Sequence, residues 1–202
     1  MDDDPSVRKG LSRLLRSAGY DVEVFSSATE FLARARSGVP RSALPAPRSS
    51  AACLVLDLQM PGQSGLDLQQ SLTRPGYSLP IVFITGHGDI PASVRAMKKG
   101  AVDFLTKPFD DQALLDAIAV ALSRDQAARA RQAESAEIRG RVEKLTPRER
   151  DVMNLVITGM LNKQIAAELC IEPGTVKVHR GRMMTKMGVQ SVAELVSLNS
   201  EL

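Results

Sequence analysis

At 202 residues, with 44% hydrophobic content, the chain suits one large domain or two small ones of a soluble globular protein. No apolar run approaches the roughly 18 residues that a membrane span needs, and no signal-peptide pattern opens the chain, so membrane and secreted classes are not expected and cytoplasm is. Residues 1–137 carry 16 basic and 16 acidic groups and residues 138–202 carry 10 and 7, so the whole net charge of +3 falls in the last third, where it permits nucleic-acid binding without proving it.

The chain opens on three adjacent carboxylates, Asp2, Asp3 and Asp4, which repel one another unless they are solvated or bound to a cation. Hard oxygen ligands suit Mg²⁺, which usually takes only one or two carboxylates and keeps several waters. Gly38 to Ser50, rich in Pro, Ser and Ala, reads as a flexible surface insertion. Cys53-Leu54-Val55-Leu56-Asp57 then reads as a buried parallel strand ending in a carboxylate, with the Pro61-Gly62 turn close behind. Cys53 and Cys170 both sit in apolar segments and read as small buried hydrophobes rather than as a disulfide.

A second strand, Leu79 to Thr85, ends in a hydroxyl, and a third, Ala101 to Thr106, ends in Lys107-Pro108. In an open α/β sheet, ligands sit beyond the carboxyl ends of the strands. One rim thus gathers carboxylates, a hydroxyl and an ammonium. A carboxylate can attack phosphorus to form an acyl phosphate, and phosphoryl transfer needs little beyond positioning and charge neutralisation. In this chemistry Asp57 is the nucleophile, Lys107 holds its carboxylate or a phosphate oxygen, and Thr85 donates to another phosphate oxygen. A dedicated aspartate-nucleophile phosphatase would want a second acid two residues on, where this chain has Gln59.

Residues 2–122 resemble the receiver domain of two-component response regulators. Asp2-Asp3, Leu56-Asp57-Leu58-Gln59-Met60-Pro61-Gly62, Ile84-Thr85-Gly86 and Thr106-Lys107-Pro108-Phe109 carry the likeness. Ile84-Thr85-Gly86-His87-Gly88-Asp89 is close to the pattern of the FixJ-type subgroup. The resemblance implies a flavodoxin-like, doubly wound α/β domain with strand order 2-1-3-4-5, and phosphorylation of Asp57 by a sensor histidine kinase. It further implies Mg²⁺ held by Asp3, Asp57 and the main-chain carbonyl of Gln59, with Asp2 close by. Thr85 and Phe104 fall on the switch positions, which reshape the face built from the fourth helix, fifth strand and fifth helix of the family. Against the pattern, only Met1 precedes the acidic pair, so the first, central strand reads as truncated. That implies either a start set too late or an impaired receiver.

Asp110-Asp111 opens a helix with Leu114, Leu115, Ile118 and Leu122 on its buried side. From Ser123 to Glu137 the only apolar residues are alanines, with no Gly or Pro. This stretch reads as a helical, mostly solvated linker or a weak coiled coil between partners. The domains expected are a receiver at residues 1–122, a helical linker at 123–144 and a DNA-binding domain at 145–202.

Thr146-Pro147-Arg148-Glu149 is a helix start, with a capping Thr, Pro at the first position and a Glu completing the box. Val152, Leu155 and Val156 mark its buried face, and Gly159 ends it. Asn162 is expected to cap a short second helix, Pro173 to start a third through Met187, and Ser191 to cap a fourth. The second and third are separated by a few residues, which is helix-turn-helix spacing. The exposed side of the third carries Lys177, Arg180, Arg182 and Lys186, cations that would neutralise phosphates. His179 alone reads as a phosphate or packing contact rather than a metal ligand.

Residues 145–198 resemble the LuxR-type helix-turn-helix that ends NarL/FixJ-family regulators, through Leu145-Thr146-Pro147-Arg148-Glu149, Asn162-Lys163-Gln164-Ile165-Ala166 and Thr175-Val176-Lys177-Val178-His179. The resemblance implies an all-α, four-helix domain. Lys177, Val178 and Arg180 to Arg182 would lie near DNA, and Thr175 and Lys163 would serve the backbone. Gly181 costs about 1 kcal/mol of helix propensity and would permit close approach. The whole implies a phosphorylation-dependent transcription regulator that pairs as a homodimer, binds promoter DNA and works with RNA polymerase, without being a dedicated enzyme.

Overall fold

The structure, a computed structural model, describes residues 1–36, 51–72, 79–86 and 90–199. The expected insertion at Gly38–Ser50 and the His87-Gly88-Asp89 part of the FixJ-type pattern lie outside the described residues. The chain divides into two compact units, Met1–Arg129 and Ala130–Leu202.

In the first unit, helix α1 (Pro5–Ser17) starts where the Asp4 carboxylate accepts the amides of Ser6 and Val7, with Pro5 in the first turn. Helix α2 (Ala28–Arg36) follows, then strand β1 (Leu54–Asp57), helix α3 (Gly65–Leu72), strand β2 (Ile81–Thr85), helix α4 (Ile90–Lys98), strand β3 (Asp103–Thr106) and helix α5 (Asp111–Glu143). The strands form a parallel sheet of order β1-β2-β3. Alternate strand residues go to opposite faces. Leu54, Leu56, Ile81 and Phe83 join Leu68 and Leu72 of α3 and Ala92 and Ala96 of α4 in one core. Val82 and Val102 join Leu15 of α1 and Leu114, Ala117, Ile118 and Ala121 of α5 in another. Helices thus cover both faces, as a doubly wound sheet requires.

The five-strand order implied by the resemblance is corrected in one respect. Among the described residues the sheet has three strands, which correspond to the last three of that order. Met1 stands alone in the ladder position beside β1: its amino group donates to the Val55 carbonyl at 2.7 Å, and its carbonyl accepts the Asp57 amide at 2.9 Å. The chain then turns into the Asp4 cap of α1, too soon to extend the ladder. The Asp2 amide reaches the Phe25 carbonyl at 3.4 Å, and residues 21–25 form no strand.

Helix α5 runs unbroken for 33 residues through the expected linker. The stretch is mostly exposed, but Asp125 is buried and accepts the Ala52 amide at 2.8 Å and the Arg129 guanidinium at 2.5 Å. At the far end Ile138 is buried in the core of the second unit. No described helix is long and apolar enough to cross a membrane.

In that second unit, α6 (Pro147–Ile157), α7 (Asn162–Glu168), α8 (Pro173–Met187) and α9 (Val192–Asn199) pack around Val152, Val156, Ile165, Val176, Met183 and Leu195. The capping box of α6 is complete: the Thr146 hydroxyl accepts the Glu149 amide, and the Glu149 carboxylate accepts the Thr146 amide at 2.9 Å. Gly188 closes α8 at φ 69°, a left-handed position that favours glycine. Two expectations are corrected. Leu161, not Asn162, stands at the cap of α7, because the Gln164 side chain takes the Leu161 amide and the Asn162 side chain reaches elsewhere. Cys170 is exposed at φ 53° just past α7, where the turn swings its side chain outward; Cys53 is half-buried, and both are free thiols.

Candidate functional site

Parallel register brings the strand ends abreast: Asp57 pairs with Ile84, and Thr85 with Thr106. Beyond that rim, the Lys107 ammonium lies 2.6 Å from Asp57 Oδ2 and 2.7 Å from Asp2 Oδ2. Lys107 reaches this point because its amide donates to the Thr85 carbonyl at 2.6 Å, holding the chain against the end of β2. The other Asp57 oxygen accepts the Gln59 amide at 3.0 Å, so the turn after β1 orients the carboxylate. Asp2 Oδ1 accepts the Asp4 amide at 2.9 Å, and Arg8 donates to the Asp2 carbonyl at 2.7 Å.

Burial and charge compete here. Asp57 is 6% exposed and Asp2 1% exposed, and burial disfavours both charged forms. Burial pushes the Asp57 carboxyl up despite its pairing with Lys107. Burial also acts on Asp2, but Lys107 and the Asp4 amide outweigh it and hold that carboxyl below its ordinary value. Lys107 loses water too, yet the two carboxylates keep its ammonium more basic than usual. One cation thus serves two carboxylates and leaves charge uncompensated. Asp3, exposed, adds a third: ligand atoms of Asp2, Asp3 and Asp57 all lie within 4.8 Å of one another. An all-carboxylate donor set with unbalanced charge fits a hard divalent cation.

Thr85 is fully buried at the end of β2. Phe104 is half-buried, its ring 6.3 Å from that of Phe83. Gln59 is exposed.

In the second unit, Lys163 of α7 and Thr175, Lys177, Val178 and Arg182 of α8 are exposed, with Val178 at 51%. Nothing stands within 4 Å of where a Gly181 side chain would begin. His179 is half-buried and its Nδ1 finds no hydrogen-bond partner. Arg180 is half-buried and donates to Asn162 Oδ1 at 2.9 Å. Lys186, expected at DNA, is exposed and also has partners within the fold. Its ammonium meets the buried Glu149 carboxylate at 2.6 Å and the Lys144 carbonyl at 3.1 Å, because the last turn of α8 lies against the start of α6.

Sequence reasoning passed over Gly65 and Arg141 and read Asn162 only as a cap. Gly65 begins α3 against β1: a Cβ there would overlap the Asp57 carbonyl oxygen and lie 2.9 Å from the Phe83 ring. Arg141 of α5 donates to the Met187 carbonyl at 2.8 Å, at the C-terminal end of α8. Asn162 holds Arg180. Only Gly65 left a local signal, a glycine at a strand-to-helix turn.

Glu149 yields a pH prediction. Its carboxyl is held below the usual glutamate range by the Lys186 ammonium and then the Thr146 amide. A depressed folded-state value contributes stability that is full above the unfolded value, about 4.3, and is lost as pH falls through the folded one. Thermal melts of the second unit are therefore expected to drop in acid below that point. Glu149→Gln flattens this dependence and lowers the melt at neutral pH.

The response regulator receiver domain family matches residues 1–119, and the luxR family of bacterial regulatory proteins matches residues 143–199. Nodulation protein W of Bradyrhizobium diazoefficiens is 49% identical over all of this chain and 84% of its own length. The response regulator protein TodT of Pseudomonas putida is 46% identical over the same shares. The transcriptional regulatory protein FixJ of Bradyrhizobium diazoefficiens is 43% identical over 98% of this chain and 91% of its own. The solved response regulator StyR superposes with a TM-score of 0.80 at 48% identity, covering 100% of this chain and 96% of that one. Matched at both ends and along its length, the chain belongs to the response regulators that join a receiver domain to a LuxR-family DNA-binding domain.

Proposed function

We propose that this chain is a transcription regulator switched by phosphorylation of Asp57. The observation that carries the reading is the Lys107 ammonium bridging Asp2 and Asp57 at the strand ends. A carboxylate oxygen of Asp57 attacks the phosphorus of a phosphohistidine on a sensor histidine kinase. The new O–P bond forms as the N–P bond breaks, and the imidazole leaves with the electron pair. Asp3, Asp57 and the Gln59 carbonyl, with Asp2 beside them, would hold Mg²⁺. Bound there, the cation offsets the negative charge gathered between nucleophile and phosphoryl group. Lys107 exchanges its carboxylate contact for a phosphoryl oxygen. The acyl phosphate hydrolyses slowly, and the chain is not a dedicated enzyme.

Thr85 then donates its hydroxyl to the phosphoryl group, and Phe104 follows inward. The face that responds includes α4, where Ile90, Val94 and Met97 stand 75%, 45% and 45% exposed at helical spacing. This exposed apolar face supports the homodimer reading, in which two receivers (residues 1–122) pair through it. Helix-turn-helix domains at residues 145–202, carried on the helical linker at 123–144, then meet two half-sites of promoter DNA, and the doubled contact raises affinity through effective concentration. Lys177, Val178 and Arg182 reach into the groove, with Lys163, Thr175, His179 and Arg180 at the backbone. RNA polymerase and a cytoplasmic setting complete the reading.

The test is incubation with Mg²⁺ and acetyl phosphate, read by intact mass and sedimentation. One added phosphoryl with dimer formation is expected, and both are lost in Asp57→Asn. A second reading is a constitutive DNA-binding regulator whose receiver is impaired; the three strands that the sheet has among the described residues, with Met1 alone beside β1, favour it. A chain that takes no phosphoryl, yet binds DNA equally as wild type and Asp57→Asn, would overturn the first reading and support the second.

A further inference from the structure

We infer that Asn162 is a positioning residue that holds Arg180 for contact with a DNA phosphate; this rests on the DNA-binding reading of α8. An asparagine at the start of a helix usually caps it. Here Leu161 occupies the cap, and the Asn162 side chain reaches across to α8 to accept Arg180 Nη1 at 2.9 Å.

The acceptor's neutrality matters. Of the four cations on α8, Lys186 is compensated by the Glu149 carboxylate, whereas Arg180 is held by an uncharged amide and keeps its full charge. One of five guanidinium N–H donors is used, and the planar fork is held by that one corner. At about 100° per residue, Arg180 lies about 60° round the helix from Lys177, on the flank of the exposed face that Lys177, Val178, Gly181 and Arg182 form. Flank positions meet the groove walls, where phosphates lie, and central ones meet base edges. Base reading thus falls to Lys177, Val178 and Arg182, while Arg180 grips the backbone whatever the sequence.

The experiment measures binding of the full chain to a mixed-sequence duplex across about 50 to 200 mM salt. Arg180→Ala is expected to weaken binding about tenfold at low salt and to reduce the salt slope by about one. Asn162→Ala keeps the charge, so it weakens binding about threefold with the slope intact. The double variant should match Arg180→Ala alone. Asn162→Asp retains the acceptor but compensates the charge, and should reduce the slope as Arg180→Ala does; it also serves if Asn162→Ala melts early. Additive losses in the double variant, or an unchanged slope in Arg180→Ala, would overturn this role and leave the DNA reading standing. A wild-type chain that ignores the duplex at low salt would overturn that reading and this role together.

Discussion

Gly65→Ala is expected to cost the receiver unit about 3 kcal/mol, at the upper end of ordinary overpacking, and to slow phosphoryl uptake by at least about tenfold. The cause is local. The added methyl would overlap the Asp57 carbonyl oxygen, and the Phe83 ring 2.9 Å away closes the other side. Phe83 is fully buried in the core that includes Leu56, Leu68 and Ala96, so it has nowhere to retreat. The Gly65 amide also donates to the Leu58 carbonyl at 3.0 Å, which ties the start of α3 to the residue after Asp57. Relief of the overlap must therefore push the end of β1, and the Asp57 carboxylate goes with it. Gly10→Ala, in α1 of the same unit, is the contrast. Nothing lies within 4 Å of its Cβ position, so the helix gains about 1 kcal/mol. Urea unfolding of the receiver should move the two variants in opposite directions, and acetyl phosphate uptake should fall in Gly65→Ala alone.

Lys107→Ala is expected to lower receiver stability at neutral pH by about 2 kcal/mol, less than the cost of breaking a fully buried pair because the lysine side chain is 23% exposed. Without the ammonium, the Asp2 and Asp57 carboxylates face each other with no cation between them. One of them then keeps its proton to higher pH in the folded state than in the unfolded one. A raised folded-state carboxyl makes stability fall as pH rises. The variant should thus gain stability in mild acid relative to neutral pH, more steeply than wild type, in which burial already pushes Asp57 up. Mg²⁺ should stabilise the variant more than wild type, since any ligand that binds only the folded form raises its stability by mass action. Denaturant midpoints across pH, with and without Mg²⁺, measure both effects. A variant indifferent to pH and Mg²⁺ would show that Lys107 carries no charge balance at the site.

Much of this was legible because the relevant signals are local. Apolar runs ending in Asp57, Thr85 and Lys107 marked the strand ends, and parallel pairing made one rim of them. The Thr146–Glu149 box and the Gly188 stop are short-range chemistry, and both stand in the structure. Contacts between segments left no periodic trace. Nothing near Lys186 announces that a glutamate 37 positions earlier will take its ammonium. Asn162 looked like a cap because asparagine usually is one, and only the tertiary structure gave its amide a better partner. Cys170 looked buried because its neighbours are apolar, but a left-handed backbone position turned it outward. The size of the sheet depended on chain beside β1, where Met1 alone fills the ladder.

Helix α5 contributes Asp125 to one compact unit and Ile138, Arg141 and Val142 to the other. The DNA-binding domain is expected from Leu145, whereas the compact unit that holds it starts at Ala130. A DNA-binding module cut at Leu145 would leave behind the Ile138 side chain that seals its core and the guanidinium that closes the end of α8. A module that keeps these contacts begins inside the helix, near Ala130.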